Sequence, residues 1–445
     1  MDLSTPSTPS HPDPGRDRIP SKQTILMLED SAGTHRILLR EPVYSIGRRS
    51  DCDIRILSPY VSRYHAILRQ YSRGDGTYGY QIVDGNERGK LSTNGLIVNG
   101  CRVRVHNLSH EDEVVFGPRA RFVCVEKSFA ISPQDLQERY RIGKRDFRNL
   151  DLSGADLSDL DLSGVDFSGT NLSNANLQNT CLADAYLRDA NLKCANLRNA
   201  NLQGAYLTNA TLEEADLRQA NLSEAFLSGS NLTKATLHSA NLSDADLSRA
   251  ILNRANLQAA VLIKANLSHS YLRLACLVDA DLHSANLVHA DLTEAVLAKA
   301  LLGNANLLGA CLLWADLQEA KLPDAVLTYA ELSHARAVGV DLRNSDLTCS
   351  KLCRTHLDRV NLTEANLTQA NLSEATLLQG CLDRANLTRA TLKRCILSEA
   401  VLTDANFTQA DLTEVILTGA NLESANLAGA ILTGAVLPDG SVQAS

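Results

Sequence analysis

The residues best suited to chemistry lie in four short polar clusters between positions 47 and 100. These clusters are Gly47-Arg48, Ser62-Arg63-Tyr64-His65, Ser92-Thr93-Asn94-Gly95 and Asn99-Gly100. The second cluster places a hydroxyl, a cation and an imidazole within four positions. It therefore raises three alternatives: a nucleophile with its base, half of a metal site, or a cradle for an anion.

Hydrogen-bond donation is the property that the clusters share. A serine and a histidine three residues apart on a turn rarely align base and hydroxyl, and no neighbouring carboxylate would orient His65. A metal site needs at least three protein ligands, and His65 has no cysteine or acid beside it. Arg48 supplies a planar fork of donors, Ser62 and Thr93 supply hydroxyls, and Asn94 supplies an amide. We therefore expect an anion-binding site, without catalytic residues, metal or cofactor.

The segments around these clusters differ in whether they are expected to fold. Residues 1–22 are rich in Pro, Ser and Thr and are too poor in apolar residues to fold. Thr5 and Thr8, each followed by proline, are threonines that a kinase could modify; the sequence does not decide whether it does.

Residues 23–127 alternate short apolar runs with Gly, Asn and Asp, which predicts an antiparallel β-sandwich. In residues 128–145, Ser132 and Pro133 predict a short N-capped helix that ends at Gly143.

From residue 146 to 438 the chain repeats every five residues. Of the 59 positions ending in 2 or 7 from Phe147 to Leu437, leucine occupies 55, and alanine occupies 43 of the 58 sites two residues earlier. Five residues rotate a helix by about 500°, and an odd period on a strand alternates faces, so neither element buries these leucines together. The chain must turn after every pentad and stack its coils. Residues 439–445 form a short C-terminal tail.

The charge is unevenly distributed along the chain. The first 145 residues carry a balance of +5 and the remainder −13, which together give the net charge of −8. The basic part favours an anionic ligand, although it is too dilute for direct nucleic-acid binding. Eleven scattered cysteines, no signal peptide and no apolar run of 18 residues indicate a cytoplasmic protein without a membrane span.

The clusters, in this order, resemble a forkhead-associated (FHA) domain. The pattern consists of Gly47-Arg48, Ser62 with His65, Asn94-Gly95, Asn99-Gly100 and a closing strand that contains DEVVFG. The resemblance implies an eleven-stranded sandwich that binds phosphothreonine peptides. By position, Arg48, Ser62 and Thr93 would contact the phosphate, assisted by Arg63, and Asn94 would hold the ligand backbone. The resemblance also implies that Gly47, His65, Gly95, Asn99 and Gly100 support the site.

The five-residue register resembles the pentapeptide-repeat family. That resemblance implies a right-handed, four-sided β-helix with 20 residues per coil, and hence a rod on the order of 70 Å long. Ladders of Tyr186, Tyr206 and Phe226, and of the asparagines at 366, 386, 406 and 426, follow the same 20-residue spacing. The expected fold class is therefore all-β: an FHA-type sandwich and a repeat β-helix joined by a short helix.

Several features of the repeat leave alternatives open. Cys349 and Cys353 lie in an irregular block of the repeat. The two cysteines could bind a metal, or the block could be a docking surface. We favour a third explanation, in which the repeat sequence has drifted and is compensated locally. His269 and His289 could stack, but no third ligand accompanies them. An apolar patch for a partner is expected around Trp314, formed with Val288, Leu308 and Leu313.

These features predict a non-enzymatic adaptor in Ser/Thr-kinase signalling. Its partners would be a phosphothreonine-bearing protein and a Ser/Thr kinase, and the rod would serve as a scaffold that could also join copies of the chain. The alternative is an acidic β-helix that mimics DNA and regulates an enzyme such as a topoisomerase. The sequence does not name the partner, the residue preferred beside phosphothreonine, or what the rod binds.

Overall fold

A computed structural model of the chain describes residues 22–73, 77–86, 88–128 and 132–444. Thr5, Thr8 and the rest of the predicted N-terminal tail up to residue 21 lie outside these ranges. The described residues before 132, together with Asp146–Asp151, make one compact unit. Ser132–Arg145 and the residues from Leu152 onward make the other.

The first unit is a sandwich of two antiparallel-rich sheets. Its eleven strands are β1 (Lys22–Asp30), β2 (Gly33–Leu38), β3 (Val43–Gly47), β4 (Ile54–Arg55), β5 (Ala66–Arg73), β6 (Thr77–Asp84), β7 (Leu96–Val98), β8 (Cys101–Val103), β9 (Val105–Asn107), β10 (Glu113–Gly117) and β11 (Ala120–Ser128). One sheet has the order β2-β1-β11-β10-β7-β8 and the other β4-β3-β5-β6-β9. The predicted eleven-stranded sandwich is confirmed.

Alternation of apolar side chains builds the core between the sheets. In β10, Val114 and Phe116 are buried while their neighbours are partly exposed, as a strand with one covered face requires. Leu68 of β5 and Ile82 of β6 face them from the same core. The interior of the sandwich is thus a conventional apolar core. Because this core holds the two sheets together, the loops at their ends can serve for binding.

The helix α1 (Pro133–Arg141) follows the sandwich in sequence. The Ser132 side chain caps it by accepting the N–H of Asp135 at 3.1 Å, and Pro133 begins it, as predicted. Gly143 follows the helix with a φ of +88°, a conformation that favours glycine and ends the helix. The Tyr140 hydroxyl donates to the Ser163 carbonyl at 2.8 Å and so joins α1 to the first coils of the repeat.

The repeat forms stacked coils of 20 residues. Isolated parallel bridges join residues 20 apart, from Asp156 with Asn176 to Ile416 with Val436, so each coil contains four pentads. The leucine and alanine positions point inward and are almost all buried, whereas the others face outward. The all-β fold class is confirmed, including the coil of four pentads.

The predicted side-chain ladders are present on the outer surface. The rings of Tyr186, Tyr206 and Phe226 stack at centroid distances of 4.9 Å with interplanar angles of 5° and 9°. The Nδ2 amide of Asn386 donates to Oδ1 of Asn366 at 3.3 Å, and the same pairing recurs one coil further on. Stacking identical groups at the spacing of neighbouring strands gives each coil the same geometry as the last.

One conformational rule of the repeat was not predicted. Every position ending in 4 or 9 from 149 to 434 has a positive φ, between +52° and +72°. β-Branched residues fit that conformation badly, and these 58 positions contain no Val, Ile or Thr. The missing residue types were visible in the sequence and would have located the left-handed corner of each pentad.

Candidate functional site

Three loops of the sandwich are joined by backbone hydrogen bonds around the predicted anion site. The loops follow β3, β4 and β6. The Arg48 N–H donates to the Ser62 carbonyl at 3.1 Å, which links the first loop to the second. The Gly85 N–H donates to the His65 carbonyl at 2.7 Å, which links the third loop to the second. The predicted residues therefore meet because their backbones are tied together.

Gly47 is required by the close approach of the first two loops. A Cβ atom at this position would overlap the carbonyl oxygen of Arg63 and crowd the backbone of Tyr64. Neither obstacle is the flexible end of a side chain, so a substitution would push the second loop away from Arg48.

His65 holds the second and third loops together from inside. It is fully buried, its Nδ1 accepts the Ser62 backbone N–H at 3.2 Å, and its Nε2 lies 3.0 Å from the Gly95 carbonyl. Because Nδ1 accepts, Nε2 must carry the proton and donate to Gly95. Burial lowers the pKa of His65, which favours this neutral form. The ring also meets Phe116 edge-on, at 5.2 Å between centroids.

The geometry of His65 argues against a nucleophilic serine. Its Nδ1 is occupied by the backbone N–H of Ser62, not by the hydroxyl, and its Nε2 is directed to Gly95. Neither nitrogen can take a proton from Ser62 Oγ in this arrangement, so Ser62 lacks the base that activation needs.

The hydroxyls of Ser62 and Thr93 lie side by side. Their oxygens are 3.3 Å apart, and Ser62 Oγ accepts the Thr93 backbone N–H at 2.9 Å. Thr93 is exposed and Ser62 is half-buried. The Ser62 O–H donates to Thr93 Oγ1 across that 3.3 Å, which leaves the Thr93 hydroxyl hydrogen to turn toward an anion. The Ser62 hydrogen can join it by rotating away from Thr93.

Asn94 bridges the same two loops with one end of its side chain. Its Nδ2 donates to the Tyr60 carbonyl at 2.7 Å, and none of the described residues donates to its Oδ1. The free oxygen is an acceptor that faces outward with the exposed side chain. Gly95 follows with a φ of +76°, and its N–H donates to Ser92 Oγ at 2.9 Å, which shapes the turn.

Two of the nearby arginines are available and one is engaged. The guanidinium groups of Arg48 and Arg63 are exposed, and neither forms a side-chain hydrogen bond or ion pair with any residue in the described ranges. Arg49, by contrast, donates to Asp51 at 2.9 Å and lies 5.2 Å from the ring centroid of Tyr64. The Tyr64 hydroxyl donates to the same carboxylate and lowers the pKa of Asp51. Arg48, and not Arg49, is also the arginine that the family resemblance selects by position.

Asn99 and Gly100 lie in a different part of the sandwich. They form the two-residue turn between β7 and β8 with φ values of +48° and +78°, the signs that a type I′ hairpin requires. The Asn99 side chain donates to Asp112 at 2.7 Å and accepts the Glu113 N–H at 2.9 Å. Their hydrogen bonds thus fix the β7–β8–β10 region, and none of those formed among the described residues reaches Ser62 or Thr93.

The irregular block of the repeat is compensated within its own coils. The hydroxyls of Ser345 and Ser350 replace inward methyl groups and donate to the carbonyls of Leu342 and Leu347 at 2.6 and 2.7 Å. Thr355 does the same toward the Leu332 carbonyl at 2.9 Å. Buried hydroxyls with such partners cost little, which supports the interpretation as local drift.

The residues that the structure describes contain no group of three or more His, Cys, Asp or Glu side chains arranged to hold an ion. His269 and His289 do stack, with 5.3 Å between their ring centroids.

No described helix is long and apolar enough to cross a membrane.

Comparison with known protein families agrees with both parts of the chain. The FHA domain model matches residues 44–117. The model for pentapeptide repeats (8 copies) matches successive, mostly overlapping stretches between residues 146 and 439.

Individual relatives match parts of the chain. The protein sll1895 of Synechocystis sp. is 34% identical over 89 residues, which are 20% of this chain and 13% of that relative's length. HetL, a pentapeptide repeat protein involved in heterocyst differentiation regulation in Nostoc sp. strain PCC 7120, is 28% identical; the match covers 70% of this chain and 100% of HetL, with a TM-score of 0.17. An FHA domain studied for its phosphothreonine-dependent interactions is 27% identical over 24% of this chain and 99% of that domain, with a TM-score of 0.20.

Proposed function

Because the chain belongs to the pentapeptide-repeat family and carries an FHA domain at residues 44–117, we propose that it is a non-enzymatic adaptor that recruits a phosphothreonine-bearing protein in Ser/Thr-kinase signalling. Both families are interaction or structural modules. FHA domains bind phosphothreonine-containing partners. The rod would act as a rigid scaffold beside this recruiting domain.

The observation that carries the proposal is the donor set at the three loops. Arg48 and Arg63 are exposed cations that no described residue pairs with, and Ser62 and Thr93 have hydroxyl oxygens 3.3 Å apart. A phosphate carries a charge of about −1.5 to −2 at neutral pH and has three acceptor oxygens. Two guanidinium groups and two hydroxyls match it in charge and in hydrogen-bonding sense.

We assign a separate role to Asn94. Its Nδ2 is fixed on the Tyr60 carbonyl, so its outward Oδ1 would accept a backbone N–H of the bound peptide. Gly47, His65 and Gly95 would act indirectly, by holding the loops in register. Asn99 and Gly100 would act further away, through the hairpin that positions β7.

Removal of Arg48 tests the proposal. Arg48→Ala in the full chain should weaken binding of phosphothreonine peptides roughly a hundredfold, because a charge-assisted pair of hydrogen bonds contributes about 3 kcal/mol. The probe is a fluorescent peptide library with fixed phosphothreonine, measured by anisotropy, with the unphosphorylated library as reference.

Arg69→Ala is the matched control, since Arg69 is an exposed arginine on strand β5. It should bind as the wild type does, with an unchanged unfolding midpoint. Wild-type affinity in Arg48→Ala, or equal affinity of the wild type for phosphorylated and unphosphorylated peptides, would contradict the assignment of this site.

Ion pairs along the rod support a scaffold in preference to a DNA mimic. Lys234 pairs with Glu214 at 2.8 Å, and Arg354 pairs with Glu374 at 2.7 Å, in each case one coil apart. Such pairs interrupt the acidic surface with positive charge, whereas imitation of a phosphate backbone needs continuous negative charge. If the full chain nevertheless inhibited gyrase supercoiling, the scaffold role would have to be replaced.

A further inference from the structure

One column of outward side chains on the repeat changes from charged to apolar and back. Residues 20 apart lie above one another in successive coils. Between positions 214 and 414 the column runs, in order along the rod, Glu214, Lys234, Arg254, Leu274, Glu294, Trp314, His334, Arg354, Glu374, Arg394 and Glu414. The apolar interruption is therefore centred on the carboxylate of Glu294.

Leu274 and Trp314 are unusual at their backbone position. Both occupy the left-handed corner of a pentad, with φ values of +58° and +59°, where the other sites are mostly polar or glycine. Leu274 is 44% exposed and Trp314 is 60% exposed. Because a large apolar side chain at such a site gains little from burial, its presence is not explained by folding.

The two side chains border an open slot over Glu294. The slot has a volume of about 470 Å³ and is lined by Leu274, Glu294 and Trp314. The indole stacks on His334, with 4.2 Å between ring centroids and an angle of 8°. His334 covers the face directed along the rod toward the C-terminus, so the other indole face is turned to Glu294. Leu274 and Trp314 are two coils, or about 10 Å, apart, which leaves space for one planar group.

Glu294 differs from the other glutamates of its column in having no cation. Glu214 pairs with Lys234, Glu374 with Arg354, and Glu414 with Arg394. Within the described part of the chain, no hydrogen bond or ion pair engages the Glu294 carboxylate. Arg273, one coil below in the neighbouring column, is not bonded to it either.

We propose that this slot binds the guanidinium of an arginine side chain presented by a partner protein. The planar cation would stack on the free face of Trp314 while its forked N–H groups donate to the Glu294 carboxylate. Leu274 would contact the methylene stem of the same side chain. The compact ammonium of lysine lacks the flat face and the fork, so it should bind more weakly.

The slot lies on the repeat and uses none of the residues assigned to the phosphopeptide site. It would give the scaffold its own recognition element, and the ligand would be a basic segment of a protein. The slot is proposed to recognise the guanidinium group alone, so a short peptide that contains one arginine is an adequate probe.

Trp314 is the only tryptophan of the chain, so the intrinsic fluorescence of the full-length protein reports on the slot directly. The titrants are three capped tripeptides of the form Ser-X-Ser, where X is arginine, lysine or citrulline. Citrulline keeps the planar shape and removes the charge. We expect a saturable fluorescence change with arginine, an affinity at least tenfold weaker with lysine, and no saturable change with citrulline.

Glu294→Gln should weaken arginine binding at least tenfold with an unchanged unfolding midpoint, because Glu294 is exposed. The control is Glu374→Gln, in the same column, whose carboxylate already has Arg354. The proposal is overturned if the arginine peptide gives no saturable change, if lysine or citrulline binds equally well, or if Glu294→Gln binds as the wild type does. Binding that appears only after Arg273→Gln would show that the chain's own arginine fills the slot, and would overturn it too.

Discussion

Replacing His65 by glutamine is expected to remove a pH dependence from the stability of the sandwich. His65 is fully buried and neutral, with its two ring nitrogens committed to Ser62 and Gly95. Protonation would put a donor where Nδ1 now accepts and would place a charge in an apolar interior. Glutamine has no group that titrates between pH 4 and 8, so the variant lacks this response.

The sign follows from the lowered pKa of His65 in the folded protein. Below about pH 6.5 the unfolded chain protonates this histidine while the folded chain does not, so unfolding takes up a proton. The stabilising contribution is fully present above the unfolded pKa and is lost as the pH falls toward the folded pKa. The free energy of unfolding should decrease by up to about 1.4 kcal/mol per pH unit in that window.

At neutral pH the variant should be the less stable protein. The Ser62 N–H and the Gly95 carbonyl lose a well-placed buried partner, which costs about 1 to 3 kcal/mol. The difference between wild type and His65→Gln should therefore shrink as the pH falls. Other titrating groups are common to both proteins, including Asp53, whose pKa is lowered by hydrogen bonds from Ser45. Their contributions cancel in the difference.

Hydrogen exchange followed by mass spectrometry measures the pH dependence of the sandwich's stability locally in the full chain. The amides of β5 (Ala66–Arg73) lie in the central strand of the five-stranded sheet and report on opening of the sandwich. Protection factors, corrected for intrinsic exchange rates, are compared from pH 7.5 to 5. Parallel pH profiles for the two proteins would refute the assignment of His65 as a neutral brace.

Two further predictions concern the repeat. Ala259 has a φ of +52°, so Ala259→Gly should stabilise the rod by about 1 kcal/mol and Ala259→Val should destabilise it by about 1 to 2 kcal/mol, as measured by thermal unfolding in far-UV circular dichroism. Opposite signs for the pair are required; equal shifts would contradict the role of the left-handed corner. Asn386→Ala should cost about 1 to 3 kcal/mol, since its amide donates to Asn366 and Thr368 and its oxygen accepts from Asn406. Asn426→Ala, at the end of the ladder, should lower the free energy of unfolding by less. A larger loss of stability at Asn426 than at Asn386 would contradict the stabilising role of the asparagine ladder.

The repeat was predictable because its geometry is local and is repeated. A leucine every fifth residue can be buried only if the chain turns after each pentad, and this constraint fixes the inward and outward positions. The stacked rings from Tyr186 to Phe226 then follow from the coil length. The left-handed corner of each pentad can be read equally well from the absence of Val, Ile and Thr at these positions.

The loops of the sandwich were predictable as a set but not in their details. The order of Arg48, Ser62, Thr93 and Asn94 was sufficient to place donors together. The resemblance selected Arg48 by position, but no feature of the sequence showed that the neighbouring Arg49 would be engaged elsewhere. That difference depends on Asp51 and Tyr64, whose side chains capture Arg49 through contacts that form only when the loop folds.

The two architectures and the kinds of side chain that each presents follow from the sequence alone, because periodicity and turn residues act over a few positions. The state of individual groups depends on the folded structure: it sets the tautomer of His65, and it leaves the cation of Arg48 and the carboxylate of Glu294 without a partner among the described residues. These properties depend on which groups become neighbours across loops or between coils, and on how much water burial removes. Leu274, Glu294 and Trp314 are far apart in the chain, and only the stacking of coils makes them one slot.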